Sequence, residues 1–391
     1  MRILFVNYEY PPLGGGGGVV NAWLAEELGR RHDVTVLTSG GFDLREREVC
    51  GNVEIIRTST FFRRQMTVAN LPSMAAFILG GGRMGRKLIR MRDFDVINTH
   101  FALPSGPVGA SLARTGHLPN VLSVHGGDLY DPTKWMSPHR HAALRAVVRH
   151  IVKGADAVVG QSRNTNANLR RYYDAAMEPH LIPLGMPRPP RPTGGRNVLG
   201  LAADEFVMIT IGRLIARKGT HQLVNLAARL GESVRLVIVG DGPELEALRL
   251  QADQLGAASR VTFTGFVPDR RKADWLAASD IYASTSQHEG FGLVFLEAMA
   301  QGLPIVCYDH GGQTDFLTNG INGALIPLND LDGFERAVRE LRSDVAKRSS
   351  IAARNRRDIK QHFIETCADR YEELFFAVAA NSRQVVGAVR Q

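Results

Sequence analysis

The sequence has little of what secreted or zinc-stabilised proteins use. Its 391 residues include three cysteines, Cys50, Cys307 and Cys367, which lie far apart without a CxxC pair or histidines at metal-ligand spacing. This scarcity excludes a disulfide framework and a structural zinc site, and it favours a reducing compartment. No apolar run reaches the ~20 residues that a membrane span requires. The apolar part of MRILFVNYEY is too short for a signal peptide, so it predicts a first β-strand in a cytoplasmic protein.

Positive charge is concentrated in the first half of the chain. The formal net charge is +8, and residues 1–187 hold 22 Lys and Arg against 15 Asp and Glu, whereas the remainder holds 25 against 24. The densest basic stretch is RMGRKLIRMR at 83–92, with Arg63 and Arg64 upstream. As a helix it would present one basic and one apolar face, which predicts peripheral contact with an anionic membrane or an acidic substrate. A solvated helix face is the alternative. We expect no nucleic-acid partner.

The chain is long enough for two domains, because a single core usually stops growing below this length. Short β-branched runs alternate with helical stretches in both halves, a pattern typical of parallel sheets with crossover helices. The proline-rich segment 182–195 interrupts this alternation and predicts a linker. The fold class is therefore α/β, with two Rossmann-like doubly wound domains at 1–187 and 188–365. The predicted strands are 3–7, 34–38, 53–58, 96–99, 121–125, 157–160, 207–211, 235–240, 261–264, 281–284 and 305–308.

Five glycines at 14–18 follow the first predicted strand and precede a helix that we expect to begin near Val19. Glycines allow backbone amides to approach a phosphate closely, and a helix start adds its positive dipole end. This predicts phosphate contacts at Gly15, Gly16 and Gly17, with a merely flexible loop as the alternative. A dinucleotide fingerprint starting at Gly14 would need glycine at position 19, and the second predicted strand ends without an acidic residue for a ribose. Both details argue against a nicotinamide-dependent oxidoreductase.

The segment GRLIARKG at 212–219 follows the first strand of the second domain. Open α/β sheets bind ligands outside the carboxyl ends of their strands, which is where Arg213 and Lys218 are expected. Two cations at this place would hold a diphosphate and neutralise the charge that builds on it as it leaves. The alternative is a pair of ordinary surface salt bridges.

The segment HEGFGLVFLEAMAQGLP at 288–304 carries two glutamates with seven residues between them. Glu289 is expected in a loop, and Glu297 in a helix opened by Phe291 and Gly292. The amides at that helix start would bind phosphate, while the carboxylates would accept hydrogen bonds from hydroxyl groups. Phosphate amides beside hydroxyl-binding carboxylates predict a site for a sugar nucleotide.

Together these motifs resemble the GT-B retaining glycosyltransferases of family GT4, which include mannosyl- and N-acetylglucosaminyltransferases. The resemblance covers almost the full length and is specific for the family rather than for the substrate. It implies two Rossmann-like domains that face a cleft, with a last helix at about 366–391 that packs back on the first domain. The segments that carry it are NYEYPPLGGGGG, INTHFALPSG, SVHGGD, GRLIARKG, VGDGPE, FTGFVPD and the paired-glutamate stretch.

The resemblance also implies an activity: transfer of a hexosyl unit, with retention, from a nucleotide-diphosphate sugar to a hydroxyl of a glycan or lipid-linked acceptor. A uridine nucleotide is favoured over guanosine, and neither a cofactor nor a metal is required. Domain closure would expel water that competes as acceptor. The alternatives are a nucleotide-sugar hydrolase or epimerase of the same architecture, and a catalytically inactive nucleotide-sugar-binding protein.

Residue roles follow from the matched motifs. Arg213 and Lys218 would bind the donor diphosphate, Glu289 the sugar hydroxyls and Glu297 the ribose. His125, in SVHGGD, would lie beside the transferred sugar, so the catalytic set is His125, Arg213, Lys218 and Glu289. Asp128 would orient the acceptor. The other donor-binding residues are Gly15, Gly16, Gly17, Phe266, Val267, Phe291, Gly292 and Leu293.

Two segments match the DxD pattern with which another glycosyltransferase architecture holds a metal. Asp93 and Asp95 flank Phe94 just before a predicted buried strand, and Asp330 opens a predicted helix as its cap, with Asp332 behind it. Both matches are therefore assigned to structure rather than to a metal site.

Overall fold

The structure, a computed structural model, describes residues 1–61, 63–66, 69–132 and 134–389, with side chains as far as Ser382. The chain forms two compact units, one of Met1–Pro187 with Ile364–Gln391 and the other of Arg188–Phe363. Each unit is built on its own largely parallel sheet flanked by helices. The predicted α/β class with two doubly wound domains is thus confirmed.

Unit 1 contains an eight-stranded sheet in the order β3-β4-β2-β1-β5-β6-β7-β8. Neighbouring strands are parallel except β3 and β4, which are antiparallel. The order reverses between β1 and β5, which makes their carboxyl ends the switch point where such sheets bind ligands. The strands are β1 (Arg2–Asn7), β2 (Asp33–Ser39), β3 (Arg47–Cys50), β4 (Val53–Thr58), β5 (Val96–His100), β6 (Asn120–Val124), β7 (Ala157–Gly160) and β8 (His180–Leu181).

Five helices follow strands of this sheet. They are α1 (Gly16–Gly29), α2 (Leu71–Met91), α3 (Ser105–Gly116), α4 (Ala142–Lys153) and α5 (Arg163–Tyr172). The inner strands are buried on both faces, so the interior takes polar residues such as Asn98, Thr99 and His100 of β5 together with the aliphatic ones.

Unit 2 contains a six-stranded, wholly parallel sheet in the order β11-β10-β9-β12-β13-β14. Its switch point lies between β9 and β12. The strands are β9 (Phe206–Ile211), β10 (Val234–Val239), β11 (Val261–Gly265), β12 (Ile281–Ser284), β13 (Ile305–Tyr308) and β14 (Gly323–Ile326). The helices are α6 (Thr220–Leu230), α7 (Leu245–Gln254), α8 (Asp269–Ala277), α9 (Leu293–Gln301), α10 (Leu331–Ser343) and α11 (Val345–Asp358).

The last helix, α12 (Ile364–Val389), belongs to unit 1. Cys367, Tyr371 and Phe375 are buried in the same core as Ala25 and Leu28 of α1. Burial of a Phe or Leu side chain stabilises by about 1.5–3 kcal/mol each, so this apolar face accounts for the docking.

The structure corrects the start of one helix and adds three strands to the predicted set. Helix α1 begins at Gly16 rather than near Val19, so three of the five glycines form its first turn. Strands β3, β8 and β14 were not predicted, because β3 begins with the charged residues Arg47 and Glu48, β8 has only two residues and β14 begins with Gly323. The eleven predicted strands are all present, with ends shifted by a residue at most.

Arg63 was predicted to extend the basic surface, and this is wrong because its side chain is buried. Its guanidinium donates to Ser39 Oγ at 3.2 Å and to the Met66 carbonyl at 2.9 Å, and it lies over the ring of Tyr8. Arg63 therefore anchors the segment that precedes α2, whereas Arg64 is exposed.

Both DxD segments have structural contacts. Asp93 forms an ion pair with Arg2, whose backbone amide donates to Asp95 at 2.8 Å. The carboxylate of Asp330 accepts the Gly333 amide at 2.8 Å and caps α10, as predicted, while Asp332 pairs with Arg229.

Among the described helices, none combines the length and the apolar character needed to cross a bilayer.

Candidate active site

Two loops meet at the switch point of unit 2. The first, 212–219, leaves β9, and the second, 285–292, leaves the neighbouring strand β12 and enters α9. Because β9 and β12 are adjacent and parallel, both loops emerge at the same edge of the sheet. The Thr285 hydroxyl donates to the Gly219 carbonyl at 2.8 Å, and the Gln287 amide donates to the Arg217 carbonyl at 2.8 Å. The loops are therefore fixed to each other.

Lys218 and Glu289 form a buried ion pair between these loops. Lys218 Nζ donates to Glu289 Oε1, and the exposed fractions of their side chains are 19% and 8%. Burial by itself raises the pKa of the Glu289 carboxyl, but the charges of Lys218 and Arg217 outweigh it and hold that pKa below its usual value. Glu289 is consequently a carboxylate at neutral pH, able to accept hydrogen bonds from hydroxyl groups.

Arg213 lies in the first loop, five residues before Lys218, and is exposed. Within the described part of the chain, its guanidinium forms neither a hydrogen bond nor an ion pair. Arg217 behaves differently, since its guanidinium donates to the carbonyl of His288 and braces the second loop. Of the two predicted diphosphate-binding cations, one is therefore paired with Glu289 and the other extends into solvent.

A glycine rather than a capping side chain precedes the first turn of α9. Gly292 is the N-cap, with a left-handed φ of +97°, and no side chain caps this end among the described residues. The first amides of a helix have no partner within it, so those near Gly292 and Leu293 are available to an anion. Phe291 contributes only backbone here, because its ring is buried against Phe316 at a centroid distance of 5.0 Å.

Glu297 lies on α9 and pairs with a residue that the sequence did not single out. Lys272 of α8 donates from Nζ to Glu297 Oε1 at 2.8 Å. Burial raises the pKa of the Glu297 carboxyl although the Lys272 charge opposes it. Its Oε2 is buried without a hydrogen-bond partner in the described chain. Such an oxygen leaves one acceptor unsatisfied, which suits a hydroxyl group of a ligand.

The loop after β11 carries the residues predicted to contact the base. Phe266 is 84% exposed, an unusual position for a large aromatic side chain, and Val267 is partly buried. Lys272 lies five residues further along, on the helix that this loop enters. Phe266 and Val267 thus lie in the loop that enters α8, the helix whose Lys272 pairs with Glu297 of α9.

The glycine run lies at the switch point of unit 1. Gly15 and Gly16 are exposed and face open space, whereas a Cβ on Gly17 would lie 2.6 Å from the Phe101 ring. The carboxylate of Glu9 accepts the Gly15 amide at 3.1 Å. A phosphate at this helix start would have to displace the negatively charged Glu9 carboxylate. The phosphate contacts of Gly15, Gly16 and Gly17 therefore stay a prediction.

His125 follows β6 and is enclosed by other rings. Its Nε2 lies 3.1 Å from His100 Nδ1, and its ring is 4.4 Å from that of Phe101. Burial lowers the pKa of His125 to about 4 from the ordinary 6.5, so the imidazole is neutral at physiological pH. The side chain of Gln161, which follows β7, interacts with this ring and opposes the shift.

Asp128 supports the loop that contains His125. Its two carboxylate oxygens accept the amide of Ala102 at 2.7 Å and that of His125 at 2.9 Å, and burial raises its pKa to about 6. Both oxygens are committed to backbone, which gives Asp128 a structural role between the loops after β5 and β6. Its predicted contact with the acceptor stays a prediction.

The neutral ring of His125 makes an acid-stability prediction. In the unfolded chain the His125 ring is protonated below about pH 6.5, whereas in the folded protein it stays neutral down to about pH 4. Between these pH values protonation favours the unfolded state, so the free energy of unfolding decreases as the pH falls. The raised pKa of Asp128 has the opposite effect, because it stabilises the folded state as the pH falls. Asp128 is present in both wild type and His125→Gln, so a comparison of the two proteins isolates the contribution of His125. We expect the stability deficit of this variant to shrink by about 2 kcal/mol between pH 7.5 and pH 5.

Urea unfolding at the two pH values measures that deficit. A deficit that is unchanged or larger at pH 5 would show that His125 is not held neutral by its surroundings.

Comparison with known proteins assigns the family. The family model described as Glycosyltransferase Family 4 matches residues 14–187, and the one described as Glycosyl transferases group 1 matches residues 195–358. Together they cover most of both units.

The relatives that the chain matches include a glycosyltransferase and a mannosyltransferase. The chain is 37% identical to the lipopolysaccharide core biosynthesis glycosyltransferase LpsE of Rhizobium meliloti over 46% of its own length and 52% of that protein, so it spans about half of this relative. It is 28% identical to the GDP-mannose-dependent α-(1-6)-phosphatidylinositol monomannoside mannosyltransferase of Mycolicibacterium smegmatis, over 90% of the chain and 92% of the relative.

Solved structures share the fold. A sucrose-phosphate synthase from Thermosynechococcus elongatus superposes with a TM-score of 0.84 at 23% identity, covering 99% of this chain and all of that one. HepE of Anabaena in complex with UDP-glucose superposes with a TM-score of 0.76 at 23% identity, covering 96% and 100% of the two chains. With these matches in both units and a Rossmann-like sheet in each, the chain belongs to the GT-B glycosyltransferases of the family 4 type.

Proposed function

We propose that this glycosyltransferase is a retaining hexosyltransferase, which moves a hexosyl unit from a UDP-linked sugar to a hydroxyl of a glycan or lipid-linked acceptor. The observation that carries the proposal is the buried Lys218–Glu289 pair beside the open N-terminus of α9. It puts a cation, a carboxylate and free amides at one sheet edge, and a sugar diphosphate needs all three.

In this proposal each group has a separate task. Lys218, Arg213 and the amides near Gly292 bind the diphosphate, which carries the negative charge. Glu289 accepts hydrogen bonds from sugar hydroxyls, because Lys218 and Arg217 keep it ionised. In the reaction, the acceptor oxygen bonds to the anomeric carbon as the bond to the diphosphate breaks, and the departing phosphate oxygen takes the acceptor proton. No side chain serves as nucleophile, and no metal is needed.

The nucleoside would lie on the α8–α9 side of unit 2. The unpartnered Oε2 of Glu297 suits a ribose hydroxyl, and the backbone of Phe266 and Val267 would face the base. The Anabaena complex with UDP-glucose supports uridine, whereas the name of the mycobacterial relative points to GDP-mannose. The base is therefore the first property to measure.

A thermal-shift screen with UDP-, GDP- and ADP-hexoses tests the proposal. A ligand at 100 times its Kd stabilises the folded state by about 2.7 kcal/mol, so we expect the UDP-hexoses to raise the melting temperature most. NMR of the reaction should then show UDP release only with an acceptor, with unchanged anomeric configuration in the product. Donor loss without acceptor would indicate a hydrolase or epimerase, and a shift without turnover an inactive binding protein.

We also propose that unit 1 binds the inner face of an anionic membrane peripherally, in the cytoplasm. Arg83, Lys87 and Arg90 are exposed on α2 at spacings of four and three residues, so they share one helix face. Leu79, one turn before Arg83, is 64% exposed. Exposed basic side chains beside an exposed apolar one suit the boundary between lipid headgroups and acyl chains.

Vesicle sedimentation tests this surface. We expect binding to vesicles with anionic lipid that weakens with salt, because each basic residue near such a surface contributes about 1 kcal/mol. The triple variant Arg83→Glu, Lys87→Glu, Arg90→Glu should abolish it. The control reverses three exposed unit 2 cations, Arg336, Arg357 and Lys360, which changes the net charge equally. Equal loss in both triple variants would mean that overall charge, rather than α2, drives adsorption.

A further inference from the structure

The loop between β6 and α4 presents an exposed tryptophan. Trp135 is 74% exposed, the largest fraction of any large apolar side chain among the described residues of unit 1, and Met136 beside it is 42% exposed. Because this loop leaves the carboxyl end of β6, it lies at the edge of the sheet where open α/β folds bind ligands. The position of Trp135 therefore favours contact with a ligand.

Short-range contacts hold this loop in shape. His141 Nε2 donates to the Trp135 carbonyl at 2.9 Å, and the His141 ring stands at 76° to the indole with a centroid distance of 5.3 Å. The next residue, Arg140, donates to the Pro132 carbonyl at 2.6 Å and so ties the two ends of the loop together. Since the indole is already held in place, a ligand that packs on it loses little affinity to ordering of the loop.

The same part of the chain is strongly basic. Residues 132–155 include five Lys and Arg but neither Asp nor Glu. The two lysines pair with aspartates outside this stretch. Arg140, Arg145 and Arg149 instead donate to backbone carbonyls, and none of the three forms an ion pair within the described chain. Three guanidinium charges are thus fixed in position without being neutralised, and each keeps further N–H donors for an anion.

Two of these charges lie close to the indole. Arg145 donates to the His139 carbonyl at 2.8 Å. Burial and the charges of Arg140 and Arg145 lower the pKa of His139, although Asp131 opposes them. Because His139 is two residues from the histidine that packs on Trp135, the positive potential of the two arginines extends beside the exposed ring.

We propose that Trp135, Arg140 and Arg145 form a binding surface for a glycan that carries acidic groups, and that this surface selects an anionic acceptor. The acceptor role rests on the proposed function. One face of a sugar ring presents C–H groups that pack on an indole, while a carboxylate or phosphate on the glycan accepts paired hydrogen bonds from a guanidinium. An anionic membrane suits this surface less well, because arginines tied to carbonyls are held back from lipid headgroups, which free basic side chains reach by extending.

Indole ¹⁵N–¹H spectra of the tryptophan-labelled, donor-free protein test this surface, since the chain has only three tryptophans. The anionic probes are tetragalacturonate and mannopentaose phosphate, and the neutral ones are the methyl ester of the first and the dephosphorylated form of the second. We expect the anionic probes to shift the Trp135 signal, identified by its loss in Trp135→Phe, but not that of Trp275, which is buried in unit 2. The neutral probes should bind ~10- to 100-fold more weakly, because they lack the charge-assisted hydrogen bonds.

Two substitutions separate stacking from charge. Trp135→Ala and Arg140→Gln should each weaken the anionic probes by about 10-fold, as expected for an aromatic or arginine anchor at an interface. Only Trp135→Ala should also reduce the residual affinity for the neutral probes. Phe376→Ala is the matched control, because it removes another exposed aromatic ring of unit 1, and it should leave all affinities unchanged.

Equal affinity for charged and neutral probes, or no shift of the Trp135 signal with any of them, overturns the inference. So does adsorption to phosphatidylglycerol vesicles that depends on Trp135 when the glycans leave its signal in place. A protein that binds the anionic probes here but turns over no nucleotide sugar would refute the proposed function and leave the binding surface intact.

Discussion

Lys218→Met is expected to lower turnover by roughly two to three powers of ten, with a smaller loss of donor affinity. The side chain is nearly isosteric but lacks the charge that stabilises the departing diphosphate, and loss of one such preorganised group typically costs this much. Negative charge on the leaving oxygen grows during the reaction, so the ammonium group acts more on the transition state than on the bound donor. Steady-state kinetics with saturating acceptor measures the change in kcat.

Two further variants separate catalysis from folding. Lys218→Met leaves the buried Glu289 without its ion-pair partner, and breaking a buried pair in this way destabilises by about 3–5 kcal/mol. Adding Glu289→Gln removes that charge, so the double variant should regain stability but not turnover. Lys272→Met is the matched control, because it removes a lysine that is paired with a buried glutamate at the nucleoside end. It should raise the KM for the donor more than it lowers kcat.

Near-normal turnover in Lys218→Met would remove the residue from the mechanism. An equal loss of kcat in Lys272→Met would mean that any disturbed ion pair in unit 2 has the same consequence.

Gly312→Ala is expected to weaken donor binding by about two powers of ten and to destabilise unit 2 by about 1–3 kcal/mol. A Cβ at this position would lie 2.0 Å from the carbonyl oxygen of Gly290 and 2.9 Å from Phe291 Cα. Because the Gly312 amide also donates to the Glu289 carbonyl at 2.8 Å, the loop that enters α9 would have to move. A displacement of an ångström is enough to misplace the helix amides and Glu289.

Gly194→Ala provides the control for this variant. Its Cβ would meet other atoms of unit 2 at 3.5 Å or more, which is ordinary contact, so donor affinity should stay within about twofold of wild type. Titration with the nucleotide sugar by calorimetry measures both affinities. Wild-type affinity in Gly312→Ala would show that the Gly290–Gly312 contact does not set the geometry of the donor loop.

The sequence indicated which charged residues belong to the site, but it did not indicate which of them form ion pairs with each other. Each motif stands out locally, because glycines and charged residues directly after a predicted parallel strand lie where open α/β sheets bind ligands. The partner of each charge was not readable, since Lys218 and Glu289 are 71 positions apart and meet only because β9 lies beside β12. For the same reason Lys272, Gln161, His100 and Glu9 were missed. Each becomes noticeable only through its neighbour on another element.

Sequence patterns alone established the α/β class, the positions of the eleven predicted strands and the loops that carry the charged motifs. These are local properties, governed by side-chain periodicity and by the few residues that tolerate turns and helix starts. The tertiary structure decided which charges are buried and paired, that Arg63 is interior, and that Asp128 is committed to backbone amides. Those outcomes depend on strand order and helix docking, which bring distant residues together and remove water from between them.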